Sequence, residues 1–399
     1  MKKTLFTYSN IYKAYLDCRQ TKRKTINALK YEMNLENNLA DLMRALRNHT
    51  YEPARSIRFI VTHPKPREIF AAEFNDRIAH HIVIKQVEKI WERDIFITDS
   101  YACRKYKGHH FGVERVARFT EQHTYFGQFD IANFFSKIDK VILFDLFKNV
   151  VEVQPRPAFW KDELLWLTHT IIFNDPTKNY VYKGDPGLQL QLPFGKSLLD
   201  QEPEIGMPIG NLTSQFLANV YLNELDHFVV DTLGCSAYAR YVDDFLVFSN
   251  SKEDIKRWRN SIAKFVQEQL RLTLHPRKQQ IQPTRHGIPF VGYFIKPWGI
   301  TVRRNVVKQL KKKIHYYNSH PNVEEMVHSL NSYYGHLGKA RSQNLRKHLI
   351  KEHLSLALKQ EIVVHGNWHH LKVRKRSSAQ KNVRQPTVTV IYDSKWFSH

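Results

Sequence analysis

Tyr241-Val242-Asp243-Asp244 lies inside YARYVDDFLVF (238–248), a run that reads as two strands around a tight turn. Two adjacent carboxylates in an otherwise apolar hairpin are costly unless something positive meets them. A hard divalent cation with oxygen ligands is the obvious counter-charge. A solvated turn is the plain alternative, and a pattern this short does not decide between them. Asp130 supplies another carboxylate. It lies near the end of TYFGQFDI (124–131), an apolar, β-prone run expected to be a buried strand, and FDIANFFSKID keeps apolar residues on both sides of it. A lone carboxylate at a strand end is often a helix cap, although Asn133 is placed to cap the following helix instead. If the Asp130 strand and the 238–248 hairpin are neighbours in one sheet, Asp130, Asp243 and Asp244 converge. Such a centre suits two metal ions about 3.5–4 Å apart, one lowering the pKa of an attacking hydroxyl and the other neutralising charge on a leaving group.

The elements that must hold these residues are legible in outline. Residues 9–48 follow helical spacing through Leu29, Met33, Leu35, Leu39, Leu42, Met43 and Leu46, with Lys and Arg filling much of the rest. The Lys-rich stretch near 22–30 suits a nucleic-acid backbone or a solvated helix face equally. Residues 56–70, in SIRFIVTH and REIFAAEF, predict two short strands joined through Pro64-Lys65-Pro66. Helices are expected over 76–95, 138–150 and 252–270, and an amphipathic one over 210–232. The stretch 174–208 is loop-like, and the period-two alternation of GLQLQLPF (187–194) suggests an extra hairpin. GIPFVGYFI (287–295) reads as a strand pair. From 303 the chain is helical and very basic, and after about 361 the pattern breaks down into a polar, basic tail. No internal repeat is visible.

Charge narrows the partner. Of 399 residues, 61 are Lys or Arg and 38 are Asp or Glu, a formal charge of +23. A surplus of this size favours a polyanion, because each basic contact to a phosphate releases condensed counterions. A hydrophobic fraction of 42% supports a real core, so global disorder is not expected. The length suggests two or three domains. Cys18, Cys103 and Cys235 are widely spaced and form no zinc pattern, so a reduced, intracellular chain is expected. MKKTLFTYSN lacks the apolar run of a signal peptide, and no stretch approaches the ~20 apolar residues of a membrane span. The pairs His80-His81, His109-His110 and His369-His370 form no ligand pattern and read as surface or nucleic-acid-facing.

Together these segments resemble the reverse transcriptases. FDIANFF, with Asp130, looks like the first catalytic motif of their palm domain, and YVDD like the third. GMPIGNLTSQFLANVYLNELD, between them, is similar to the motif that contacts template and incoming nucleotide. PKPREIFAAEFNDRIAHHIV and SYACRKYKGHHFGV resemble fingers motifs, and LHPRKQQIQP followed by FVGYFI resembles the last palm motif and the primer grip. The motifs occur in the family's order over roughly 55–295, with thumb resemblance to about 355. Ile209-Gly210 and Ser214-Gln215 stand where relatives of group II introns and retrons carry Gln-Gly and Ser-Pro. The pattern IGNLTSQ is similar to the hallmark of reverse transcriptases of diversity-generating retroelements.

The resemblance implies an α+β right-hand polymerase fold. Its divisions would be a helical arm over 1–50, fingers over 51–125, a palm over 126–295 with an insertion near 174–205, a helical thumb over 296–360 and a basic tail over 361–399. It implies an error-prone enzyme that copies a template-repeat RNA into cDNA from dNTPs, misincorporating at template adenines. Partners would be the template RNA, the primer or cDNA, and a small basic accessory variability protein that forms a pentamer; no membrane is involved. The host compartment would be the cytoplasm of a bacterium or archaeon, or of a phage-infected cell. Two Mg²⁺ ions would be held by Asp130, Asp243, Asp244 and the Ile131 carbonyl, with Mn²⁺ able to substitute. Lys65 and Arg67 would hold the triphosphate. Phe135 would be the steric gate against a 2′-hydroxyl, with Phe134 in the core. Ile209, Gly210 and Gln215 would line the nucleotide pocket, and Lys278 would be a general acid or merely a surface lysine. Arg104, Lys107, Tyr241, Gly292 and Tyr293 would contact template or primer. The segment 174–205 is long for this family and the tail extends past the usual thumb. A retron-like or abortive-infection-like enzyme, and a non-catalytic RNA-binding scaffold, remain as other readings.

Overall fold

A computed structural model describes residues 3–20, 25–62 and 65–374. These divide into two compact units, the first from Met1–Val291 with Ile295–Trp298 and the second from Gly292–Phe294 with Gly299–His399.

Two sheets of the first unit are built from β1 (Ser56–Val61), β2 (Arg67–Ala71), β3 (Tyr125–Ile131), β4 (Tyr180–Tyr182), β5 (Tyr238–Tyr241), β6 (Asp244–Ser249) and β7 (Leu274–Pro283). The larger is antiparallel with strand order β5-β6-β3-β7. Its register sets Asp130 directly opposite Asp244. Strand alternation then decides which side chains go inward. Gly127, Phe129 and Ile131 are buried on one face, while Gln128 and Asp130 are half-buried on the other, which they share with the buried Phe126. Helix Lys252–Leu270 closes the inner face so tightly that a Cβ on Gly127 would lie 2.6 Å from Ile255 Cγ2. The β3–β7 register shifts between Phe129 and Ile131, a bulge that re-aims Asp130.

The second sheet has the order β2-β1-β4. β1 and β2 pair antiparallel, Ile57 opposite Ala71 and Val61 opposite Arg67, and β4 adds to β1 in parallel. β4 belongs to the segment 174–205. The hairpin expected at 187–194 is not formed. Pro186–Gln191 is a 3₁₀ turn, started by the Asp185 carboxylate accepting from Gly187 N–H at 2.8 Å. Its alternating leucines have no second strand to pair with, and Leu190 is 90% exposed.

The stretch 9–48 folds as three helices, Tyr8–Arg19, Ile26–Glu32 and Leu35–Arg47, and residues 21–24 lie outside the described residues. Their apolar stripe joins the main core through Ile11, Ala14, Leu39, Leu42 and Leu46. Helix Phe74–Ile90 continues into a wider turn, Trp91–Ile95, where Trp91 stacks on Phe147 with centroids 5.0 Å apart. Helix Leu212–His227, expected to be amphipathic, is enclosed on nearly every side. Its polar residues are paired inward rather than wetted: Asp226 is fully buried beneath Arg240 and Tyr238.

In the second unit, helices Arg304–Ser319, Val323–Leu337 and Gln343–His353 gather around Leu310, Ile314, Met326, Leu330 and Leu349. The pattern does not end at 361. A hairpin, Ile362–His365 with His370–Val373, buries Leu371, and the Asn331 side chain bonds both Leu371 N–H and C=O at 2.8 Å. Four-residue strands on a polar background are too short to show a period. The rest of the basic tail, 375–399, lies outside the described residues. Among the described residues no helix is long and apolar enough to cross a membrane.

Candidate active site

The turn between β5 and β6 is held in an unusual conformation. Val242 has φ +59°, a region that β-branched residues avoid. Arg240 stabilises it from beneath. Its guanidinium donates to the Val242 carbonyl at 3.0 Å, to both Asp226 oxygens at 2.6 Å and to Asn219 Oδ1 at 3.0 Å. The Tyr238 hydroxyl also donates to Asp226, at 2.7 Å, and Asn219 Nδ2 donates to the Ala102 carbonyl at 2.9 Å. This network is fully buried and paired, which is the condition under which buried charge is tolerated. The far end of β3 is tied to the same turn, because Ile131 N–H donates to the Asp243 carbonyl at 3.2 Å.

A cavity of about 470 Å³ opens at this junction. Asp130, Ile131, Phe135 and Asp243 line it together with Ile209, Gly210 and Gln215. Lys65, Arg67, Lys196 and Lys278 supply its cations. Ile209 is placed by its carbonyl, which accepts from Phe70 N–H on β2 at 3.2 Å. Gly210 has φ +118°, and a Cβ there would lie 2.8 Å from Ile69 Cγ2, so this close approach to β2 requires glycine. Asn211 Oδ1 continues the stitch by accepting from Ala72 N–H at 3.1 Å. Gln215 is exposed on the first turn of a helix whose neighbours Thr213, Ser214 and Phe216 are buried. Phe134 is core at 2% exposure, whereas Phe135 is half-buried and faces the cavity.

The carboxylates differ in their commitments. Asp130 accepts from Lys278 Nζ at 2.7 Å. Asp243 is pushed up to about 6 by burial and, next, by the charge of Asp130; Lys278 and Arg67 oppose this. Asp244 is pushed up to about 7 by burial, and Gln128 Nε2 donates to its two oxygens at 3.0 and 3.1 Å. Asp130 and Asp243 line the cavity, but Asp244 turns towards Gln128 and does not join them there. Among the described residues, no group of three or more His, Cys, Asp or Glu side chains is placed to hold a metal ion. The donor set at the cavity is therefore two carboxylates with the Ile131 residue beside them, hard oxygen chemistry of the kind a divalent cation takes with waters and substrate oxygens completing its shell. The residues present fit such an ion, and the mutual repulsion of the carboxylates is what it would relieve.

Other sequence-predicted residues lie elsewhere. Arg104 is 8% exposed, and its guanidinium is used within the protein, donating to Glu92 Oε2 at 3.0 Å, to Ser100 Oγ at 2.7 Å and to the Ile97 and Ser100 carbonyls. It clamps the loop after the Trp91–Ile95 turn and is not among the residues that line the cavity. Lys107 Nζ donates to the Thr98 carbonyl at 2.9 Å. Tyr241 packs edge-on against Phe290 with centroids 6.4 Å apart. Gly292 and Tyr293 belong to the second unit, where the buried Tyr293 ring stacks on His336 and its hydroxyl donates to the His336 carbonyl. His80 is buried, contrary to a surface reading, while His369 and His370 lie nearer the surface.

Sequence reasoning missed Arg240, Asp226 and Asn219. The signal was present: a charged residue inside YARYVDD must be paired if its strand is buried. Lys196 carried no signal, since its segment matched no motif.

An antiparallel sheet with carboxylates at a strand end and at the adjoining turn, facing a cationic cavity, is the site architecture of a nucleotide polymerase. Residues 62–295, more than half the chain, match the family model described as "Reverse transcriptase (RNA-dependent DNA polymerase)". The chain belongs to this family, and its α+β architecture is of the right-hand polymerase class. It is similar to the group II intron-encoded protein LtrA of Lactococcus lactis subsp. cremoris, 21% identical over 326 residues, covering 65% of this chain and 50% of that protein; the same protein from strain MG1363 matches equally. The chain thus spans about half the length of the curated relatives it matches. Solved structures with similarity include telomerase from Candida albicans with a fragment of telomeric RNA (TM-score 0.46, 11% identity, covering 77% of this chain and 55% of that one). Apo telomerase from Candida tropicalis gives a TM-score of 0.49 at 10% identity, covering 71% and 52%.

Proposed function

We propose that this chain is the error-prone reverse transcriptase of a diversity-generating retroelement, extending a primer on a template-repeat RNA with dNTPs. The observation that carries the reading is the meeting of Asp130 and Asp243 with Ile209, Gly210 and Gln215 around one cavity. The carboxylates are those of the first and third palm motifs, and IGNLTSQ is the segment that resembles the retroelement class.

Asp130, Asp243 and the Ile131 carbonyl would hold Mg²⁺, or Mn²⁺ in its place, with Asp244 an outlying carboxylate of the same centre. When bound, the two ions activate the primer 3′-hydroxyl and neutralise charge on the departing pyrophosphate. The chain's own residues do the positioning. Lys65 as a point charge and Arg67 as a fork hold triphosphate oxygens. Phe135 excludes a 2′-hydroxyl by contact with the sugar. Lys278, adjacent to Asp130, can release a proton to the leaving group. Ile209 offers the nascent pair shape and no hydrogen bond. Shape alone discriminates by about 1–3 kcal/mol, less than a hydrogen-bonded site achieves, which supports low fidelity.

Within this reading, residues 51–125 are fingers, 126–295 palm and 296–360 thumb, with 1–50 an arm and 361–399 an appended basic tail. The accessory variability protein is a proposed partner. The test is primer extension on a defined RNA with Mg²⁺, followed by deep sequencing of the cDNA with and without that partner. Errors concentrated at template adenines are expected. Faithful cDNA under both conditions would reject the retroelement class, and no extension at all would reject the polymerase reading.

A further inference from the structure

The family's motifs leave the segment 174–205 unexplained, yet it is fastened to the fingers sheet at several points. Arg58 and Glu68 form a buried ion pair at 2.7 Å across β1 and β2, each side chain 3% exposed. The segment completes it. Tyr180 and Tyr182 set their rings 5.5 and 5.4 Å from the Arg58 guanidinium, which donates to Gln189 Oε1 at 2.6 Å. Glu68 accepts from Ser197 Oγ at 2.9 Å and from Leu198 N–H at 2.7 Å. On the other side, the Gly195 carbonyl accepts from Ser136 Oγ at 2.9 Å. The residues flanking Lys196 are thus pinned, one to the helix that follows Asp130 and the other to the strand that carries Arg67.

Lys196 lines the cavity. None of Lys65, Arg67 and Lys196 has a side-chain acceptor among the described residues. Burial pushes the Lys196 ammonium pKa down, as do the charges of Lys278, Lys65 and Arg67, while Asp130 pulls it up. Uncommitted cations facing one cavity, held there by a buried network despite mutual repulsion, need a polyanion on the open side. Alternation along β2 turns Glu68 away from Arg67, so one strand holds Arg67 at the cavity and anchors the loop that brings Lys196 to the same place.

We propose that Lys196 is a phosphate-binding residue of the nucleotide site, and that segment 174–205 exists to carry it there. The inference rests on the polymerase reading above and adds a contact to it. The incoming nucleoside triphosphate is favoured over the template backbone because Asp130 and Asp243, beside which the reacting phosphates must lie, line the same cavity and the Asp130 charge reaches Lys196.

The test is steady-state primer extension on a defined RNA template–primer. Lys196→Ala is expected to raise the KM for dNTP by about tenfold, the scale of one charge-assisted contact at about 1.4 kcal/mol. It should leave kcat and the template–primer Kd largely unchanged and raise the inhibition constant of inorganic pyrophosphate in parallel. Lys196→Arg should restore most of the loss. Lys196 is exposed, so folding should be unaffected, which an unchanged Tm verifies. An active Lys196→Ala enzyme with unchanged KM and unchanged pyrophosphate inhibition would overturn the inference, as would weaker template–primer binding at normal KM. Should the wild type fail to extend a primer, the polymerase reading fails separately. Calorimetric binding of dGTP to wild type and Lys196→Ala then decides the contact: equal affinity would overturn it, and weaker binding by the variant would support it.

Discussion

Asp243 sits where burial and the neighbouring Asp130 charge both disfavour its ionised form, and Lys278 and Arg67 only partly compensate. A group held in this state is suited to a cation, and its charge is what the site needs from it. Asp243→Asn keeps the shape and removes the charge, so DNA synthesis should fall by more than about a hundredfold, since partners one step removed from a metal ligand already cost 10–100-fold. RNA affinity, measured by filter binding, should hardly change; substantial Mg²⁺-dependent extension by this variant would sink the assignment. Phe135 makes a different kind of contribution. Its ring is half-buried against the cavity while Phe134 fills the core behind it. Phe135→Ala should shift the ratio of kcat/KM for rNTP over dNTP upward by an order of magnitude or more, on the scale of about 1–3 kcal/mol for a lost steric contact. An unchanged ratio would move the gate to another residue. At this scale the sequence was informative wherever chemistry dictates residue type. Asp130, Asp243, Ile209, Gly210, Gln215, Lys65, Arg67, Phe135 and Lys278 were named from motif order and do gather at one cavity. Arg104 was misread because a buried arginine saturated by Glu92 and backbone carbonyls has the same letter as one facing a phosphate.

A tight turn in a sheet is only as precise as what holds it, and the β5–β6 turn is held by Arg240. Arg240→Met would leave Asp226 buried with Tyr238 as its remaining donor, a loss of about 3–5 kcal/mol for a broken buried pair. Adding Asp226→Leu should recover much of that stability in urea unfolding without recovering activity, because Val242 would still lack its carbonyl partner. A double variant as active as wild type would show that the network is not what positions Asp243. Helix Phe74–Ile90 offers a pH test. His80 is buried and pushed down to about 3, chiefly by desolvation and then by His81 and Arg77. The unfolded chain binds a proton near pH 6.5 that the folded chain refuses, so this contribution is intact above about 6.5 and is lost as pH falls towards 3. Asp76 on the same helix, pushed up to about 6 by burial, acts oppositely between about 4 and 6, so the comparison must be with a variant. The stability difference between wild type and His80→Leu should move by about 2 kcal/mol against wild type between pH 7.5 and pH 5, at about 1.4 kcal/mol per unit; a pH-independent difference would contradict the burial argument. Elements with a clear period or an apolar run, such as β3, the β5–β6 hairpin and helix Lys252–Leu270, were legible. Those stabilised by distant partners were not. The leucine alternation at 187–194 imitates a strand, and the Ile362–Val373 hairpin is fixed by Asn331, which no local pattern can announce.

The excess of 61 basic over 38 acidic residues is a property of the whole molecule, and under the proposed function it would set how the chain meets RNA. Several buried or paired cations do not count towards it. Arg58, Arg104 and Arg240 are spent inside the protein, and Lys278 is engaged with Asp130. What remains includes the exposed Lys308 and Lys312 of the second unit, and the sequence adds Lys375, Arg376, Lys381, Arg384 and Lys395 beyond the described residues. Each phosphate neutralised on single-stranded RNA should contribute a slope of about −0.7 to log K against log salt. The place to shorten the chain follows from the second unit's core. A cut after residue 360 would remove Ile362 and Leu371, which are buried, and strand the Asn331 side chain, so that truncation should destabilise the second unit. A cut after Arg374 spares them. The chain ending at Arg374 should therefore fold, extend a short primer–template at near wild-type kcat, and bind long RNA with a shallower salt slope, reduced by up to about 3.5 if each of the five removed cations meets a phosphate. Fluorescence anisotropy across a salt titration measures both slopes. Identical slopes for the full and shortened chains would show that the tail does not touch RNA, and a flat dependence for both would reject an extended RNA track.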